Sequence, residues 1–189
     1  MSSSRPRTGI FVALVTTMAM ALAVPRAAVA ASAKEIDAAV DEALKSLYAS
    51  TPAAVELARV AKGILVFPQV VKGGFIVGAE FGNGALRKQG VPTGYYNTVG
   101  ASYGFQAGVE SFGYALFFVT DTALAYLDKS EGWQVGVGPS LTVIDEGVAK
   151  SFSTTTLKDD IYAFFFDQKG LMGGISLQGS KITKITPDP

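Results

Sequence analysis

The sequence predicts an α+β domain: a strongly curled, mainly antiparallel β-sheet, barrel- or sandwich-like, with two N-terminal helices packed on it. Three observations carry this expectation. The long helical patterns fall between Ala33 and Ala61, whereas beyond Gly63 the chain alternates or runs apolar in strand-length stretches. Those stretches are bounded by Gly, Pro and Asn, the residues of turns. Glycines also recur at every fourth position, at Gly74, Gly78 and Gly82 and again at Gly100, Gly104 and Gly108. Positions four apart share one face of a strand, so each series clears a lane of side chains. Interior glycine weakens a strand unless it permits a sharp bend or the close approach of a backbone or ligand. Two lanes predict curvature, and a ligand groove along them is compatible with it.

Ser32-Ala33-Lys34-Glu35 is a capping box, a hydroxyl for the orphan amides with a carboxylate three residues on to return the bond. Behind it Ile36, Val40, Ala43, Leu44 and Leu47 form an apolar stripe, opposite Asp37, Asp41, Glu42 and Lys45. The polar face holds more acid than base, unlike a helix drawn to anionic lipid, so the stripe is assigned to the sheet. Thr51-Pro52 restarts a helix with proline at the tolerated first position, and Gly63 ends it.

The stretch Gly63–Arg87, GILVFPQVVKGGFIVGAEFGNGALR, organises the rest. It reads as a strand Ile64–Phe67 stopped by Pro68, a connector or short edge at Val70–Gly74, and an alternating strand Phe75–Phe81. Asn83-Gly84 reads as a two-residue hairpin turn, with a returning strand from Ala85. A loop is expected at Gly90–Gly94 and a further β stretch at Tyr95–Val109. Tyr114–Val119 is apolar on both faces and therefore central. Thr120 or Asp121 caps a short helix reaching Lys129. Trp133–Val143 is a strand interrupted by Gly136, Gly138 and Pro139. A turn at Asp145–Gly147 and a polar segment Ser151–Thr156 precede three strands, Ile161–Phe166, Leu171–Leu177 and Lys181–Ile185.

Arg5 and Arg7 precede an apolar run, Gly9–Val24, and Ala28-Val29-Ala30 has the small-x-small pattern of a cleavage site. The run is short of the roughly 20 residues of a membrane span. Residues 1–30 are therefore expected to be a cleaved signal peptide, and 31–189 a single domain, periplasmic or secreted. Losing Arg5, Arg7 and Arg26 takes the basic count from 16 to 13, against 16 acidic residues. A mildly acidic domain lacks the dense basic face that nucleic acid requires.

The chain has no cysteine, so neither a disulfide nor a lipid-modified cysteine is available, and the fold must rest on burial. It has no histidine, which removes Ser-His-Asp and Cys-His nucleophiles, histidine zinc sites and the usual general base. The expectation is a non-enzymatic domain without metal or cofactor.

The blocks ILVFPQVVKGGFIVGAEFGNGAL and SYGFQAG, the buried run before TDTAL, the segment WQVGVGP and the closing KGLMGGISLQGS resemble the SYLF domain. This is a family of lipid-binding modules, found in bacteria and, in eukaryotes, beside SH3 or FYVE domains; it is also described as actin-binding. The resemblance spans about Ala53–Ser180. Two places depart from it: Ala79 stands where the family commonly has a second glycine, and Tyr95–Val99 replaces a Trp-Ser-x-Pro-like block. What the resemblance implies for an exported bacterial member is binding of anionic, phosphoinositide-like phospholipid head groups at a membrane surface. Actin binding transfers poorly to such a protein.

Lys72-Gly73-Gly74 is the leading candidate for a head group, since a lysine beside glycines sets a point charge near open backbone amides. It is not a P-loop, because the lysine precedes the glycines and no helix follows. Lys62, Arg87 and Lys88 complete a basic patch if the first hairpin folds them together. Two alternatives come from other classes. One is a protein-interaction or host-facing surface module. The other is a carboxylate hydrolase using Glu80 and Glu110, which requires the two to face one cleft. Asp145-Glu146 and Asp159-Asp160 are acidic pairs outside any EF-hand frame.

Overall fold

A computed structural model describes residues 31–129, 131–144, 157–169, 177 and 179–189, with backbone alone at 75–77 and 102–108. The expected signal peptide, the Asp145–Gly147 turn, the Ser151–Thr156 segment and most of the Leu171–Leu177 strand lie outside these residues.

Helix α1 spans Ala33–Ser50 and α2 spans Pro52–Val60, broken at Thr51 where the sequence places the break. The capping box forms in both directions: Ser32 N–H donates to Glu35 Oε2 at 2.8 Å, and Glu35 N–H donates to Ser32 Oγ at 3.3 Å. Those bonds hold the Glu35 carboxyl below its usual range, the backbone bond contributing most. The buried residues of α1 are Ile36, Val40, Ala43 and Leu47, four of the five on the expected stripe.

Strand β1, Gly63–Lys88, pairs antiparallel with β2, Val91–Phe118, along almost its whole length. The turn between them is Gln89-Gly90, with φ of 52° and 80°, positive at both central positions as two-residue hairpins require. This corrects the turn expected at Asn83-Gly84. Asn83 instead sits opposite Asn97 in the ladder. Gly84 is needed for a long-range reason: a Cβ there would meet the Val66 carbonyl oxygen and the Phe67 ring, and one on Gly82 would meet Gln69 O at 2.7 Å. Pro68 does not stop the strand either, and Val70–Gly74 is not a connector. The chain absorbs the proline in a register shift between Phe67 and Val70, the bulge geometry that tolerates proline. The loop expected at Gly90–Gly94 is strand from Val91 onward.

A straight strand would hold Gly63 and Leu86 roughly 75 Å apart. In β1 a Cβ on Gly63 would lie 3.1 Å from Leu86 Cδ1. The strand therefore bends back until its two ends meet, giving a sheet curled into a half-barrel within an α+β fold.

Among the described residues the sheet has six strands, ordered β3-β6-β2-β5-β4 with β1 also on β2. Strand β5, Ile161–Lys169, pairs antiparallel with the C-terminal part of β2, residues 111–118, and β6, Lys181–Ile185, pairs with residues 95–99. The segment expected as one strand, Trp133–Val143, divides into β3, Trp133–Gln134, and β4, Leu141–Ile144, which runs parallel to β5. Gly136 and Gly138 between them have φ of 94° and 95°, a left-handed backbone that a strand does not use.

Side chains alternate between two cores. Leu65, Phe67, Val70, Phe112, Tyr114, Leu116 and Phe118 fill the enclosed face with Trp133 and Ile182. Val66, Ala85, Ala115, Phe117, Tyr162 and Phe164 face the other way, against α1 and α2. Helix α3, Asp121–Leu124, followed by a 3-10 turn to Asp128, is capped by Thr120, whose hydroxyl accepts from Ala123 N–H at 3.2 Å.

Candidate functional site

The bend in β1 builds the site. It returns Arg87 to the helices beside Lys62, the residue just before the strand begins. Arg87 is buried, and its guanidinium is gripped by α1: Nη1 donates to Asp37 Oδ1 at 2.8 Å, and Nη2 donates to Asp41 Oδ1 at 2.7 Å and to Asp37 O at 3.1 Å. Tyr95 Oη donates to the other Asp37 oxygen at 2.9 Å. The Tyr95 phenol is held above its ordinary range by desolvation first and by Asp37 second. Arg87 Nε is buried and has no hydrogen-bond acceptor among the described residues.

Beside this clamp is a cleft of about 890 Å³ between α1, the end of α2 and the β1–β2 turn. Its cations are Lys45, Arg59, Lys62 and Arg87, and its apolar wall includes Leu44, Tyr48, Val60 and Ile64. Arg87 is neutralised by Asp37 and Asp41, and Arg59 pairs with Glu56 at 2.8 Å. Lys45 and Lys62 are exposed and make no ion pair among the described residues. Burial raises the Tyr48 phenol, so it stays protonated and able to donate. Two uncompensated ammonium groups over an apolar wall suit an anionic head group joined to a hydrocarbon body.

The predicted site residues divide into two groups. Lys62 and Arg87 line the cleft, and Lys88 is exposed beside Gln89 and Gly90, which also line it. Lys72, Gly73 and Gly74 do not line it; they lie inside the β1 ladder opposite Glu110, Val109 and Gly108. Lys72 is only 5 % exposed. The bulge after Phe67 shifts the alternation, so Val70 and Lys72 face the enclosed side that Leu65 and Phe67 face.

Glu80 and Glu110 are both buried, on different strands, and neither lines the cleft. Glu80 lies over Gly100, its cross-strand neighbour, and accepts from Ser180 Oγ. Glu110 accepts from Gln168 Nε2 at 2.7 Å. Asp159 accepts from Thr142 Oγ1 at 2.7 Å, and Asp160 ties Thr120 to Ser140. These carboxylates serve the fold.

Lys45, Tyr48 and Arg59 escaped the sequence reading. Lys45 and Arg59 sit on the polar faces of two amphipathic helices, the ordinary place for surface charge, and Tyr48 packs against the helix-side core like any half-buried aromatic.

A family model described as "Las17-binding protein actin regulator", Ysc84, matches residues 99–186. No curated protein matches the chain. The family is one of non-catalytic binding domains. Over residues 99–186 the chain is therefore similar to the Ysc84 family, in agreement with the SYLF domain that its sequence resembles.

Proposed function

We propose that this protein is exported and binds anionic phospholipid head groups without catalysis, using the cleft between α1, α2 and the β1–β2 turn. The observation that carries the reading is the pairing of two uncompensated lysines, Lys45 and Lys62, with an apolar wall in one cleft. Arg87 backs the site, its guanidinium held against α1 by Asp37 and Asp41. Lys88 extends the cationic rim along the turn. Lys72 with Gly73 and Gly74 has a secondary place in this reading, because its ammonium must leave the enclosed face to reach a membrane. Export rests on the leader pattern of residues 1–30.

The test is co-sedimentation with phosphatidylglycerol or cardiolipin vesicles at low and high salt. Binding that salt weakens and that Lys45→Glu with Lys62→Glu removes supports the proposal; binding indifferent to both changes refutes the site. A second reading, a protein-interaction module, draws on the description of the Ysc84 family as a Las17-binding actin regulator. A pulled-down protein partner without vesicle binding would favour it.

A further inference from the structure

Where β1 bends back, the sheet reverses the usual alternation. An antiparallel sheet with one enclosed face puts apolar side chains inside and polar ones outside. The ends of the β1–β2 ladder obey this, with Leu65, Phe67, Phe112 and Tyr114 enclosed. In the middle of the ladder the order is inverted. Lys72, Glu80 and Glu110 are buried there; Lys72 and Glu110 are cross-strand partners, and Glu80 lies over Gly100. On the opposite face Phe81 is 52 % exposed and Val109 69 %, and Val71 and Val99 are exposed as well. Phe81 and Val99 pair across the strands. In the sequence no charge occurs at alternate positions from Val71 to Phe81 or from Val99 to Val109.

We propose that this outer face of the bend, with Phe81, Val99, Val71 and Val109, seats in the outer acyl layer of a bilayer. The inference takes its lipid surface from the reading above but none of its residues, since none of the four lines the cleft. Apolar outside and polar within is the alternation of strands that meet lipid. Because β1 curls around its enclosed face, the outer face is convex. A convex face without charge suits fluid hydrocarbon, which needs neither a matching hollow nor a counter-charge. The backbone limits the depth. Among the described residues, β1 pairs only with β2, and residues 100–110 of β2 pair only with β1. Unpaired strand edges are costly in the hydrocarbon core, so the face lies at the boundary, where water still reaches those edges.

The chain has no cysteine, so one introduced thiol reports one position. Phe81→Cys, Val109→Cys and Val143→Cys, the last an exposed valine on β4, each carry an environment-sensitive fluorophore in the full chain as the cell processes it. With phosphatidylglycerol vesicles, emission at 81 and 109 should shift to the blue. Spin labels near the top of the acyl chain should quench it more than labels near the end. Emission at 143 should show neither effect. Phe81→Asp with Val109→Asp should weaken vesicle binding about tenfold in a protein that melts like the wild type. No shift at 81 and 109 while the protein co-sediments, or an equal shift at 143, overturns the inserted face and leaves the head-group cleft standing. Equal sedimentation of Lys45→Glu/Lys62→Glu with the shift retained overturns the cleft and leaves the inserted face standing. A shift that needs no vesicles and grows with protein concentration assigns the face to a second copy of the chain and overturns the proposal. Absence of co-sedimentation overturns both readings.

Discussion

Arg87 and Asp37 stand fifty positions apart in the chain and share an ion pair of 2.8 Å, which fastens the far end of β1 to the first turns of α1. Arg87 is almost fully enclosed, while Asp37 and Asp41 keep part of their hydration. The pair is therefore neither a free surface contact nor a fully desolvated one. Arg87→Met keeps the apolar stem and removes every bond to α1, and it should cost about 2–4 kcal/mol in urea unfolding. Asp37→Asn should cost less, since Asp41 still meets the guanidinium. Equal losses in the two variants would show that Asp41 contributes nothing.

Gly84 and Gly90 separate two reasons for glycine. Gly84→Ala drives a Cβ into the Val66 carbonyl, a backbone atom that cannot swing aside, so this variant should fail to fold or lose several kcal/mol. Gly90→Ala has open space but a φ of 80°, and should cost only about 1 kcal/mol. Thermal melts of the two variants check the ranking.

Asp160 links three elements: its carboxylate accepts from Ser140 N–H at 3.1 Å, Ser140 Oγ at 3.0 Å and Thr120 Oγ1 at 3.0 Å. These bonds, the Ser140 backbone bond foremost, lower its pKa below the usual 3.8. A carboxyl whose folded value is depressed contributes stability that is complete above its unfolded value and is lost as pH falls through the folded one. The loss should therefore fall below about pH 4. Asp160→Asn should cost about 1–2 kcal/mol at neutral pH and flatten the acid limb of the stability curve. An acid limb unchanged in the variant would assign acid unfolding to other carboxylates.

Legibility in the sequence tracks the range of the interactions. The helices could be read because a capping box and an i, i+4 stripe are local, and β5 and β6 because a continuous apolar run and a flanking turn are local too. Asn83-Gly84 misled because its hairpin signature is also local, whereas the use of Gly84 is a contact with Val66 across the bend. Lys72 misled for a related reason: one bulge beside Pro68 reverses the alternation and carries the lysine to the enclosed face. The sequence makes Lys62, Arg87 and Lys88 one patch only if the first hairpin folds them together. What joins them is the bend of a single long strand, which no window of sequence displays.

Export carries its own expected outcome. The protein recovered from the periplasm or medium should have an intact mass beginning at Ala31. Retention of Met1–Ala30 on a membrane-bound product would replace the signal peptide with an anchor.

The most direct test of the account is vesicle co-sedimentation of the processed protein beside its Lys45→Glu/Lys62→Glu variant. Wild-type protein is expected to bind phosphatidylglycerol vesicles at low salt and to leave them as salt rises, whereas the variant, melting like the wild type, should bind little or not at all. Equal sedimentation of the two proteins at every salt concentration would contradict it.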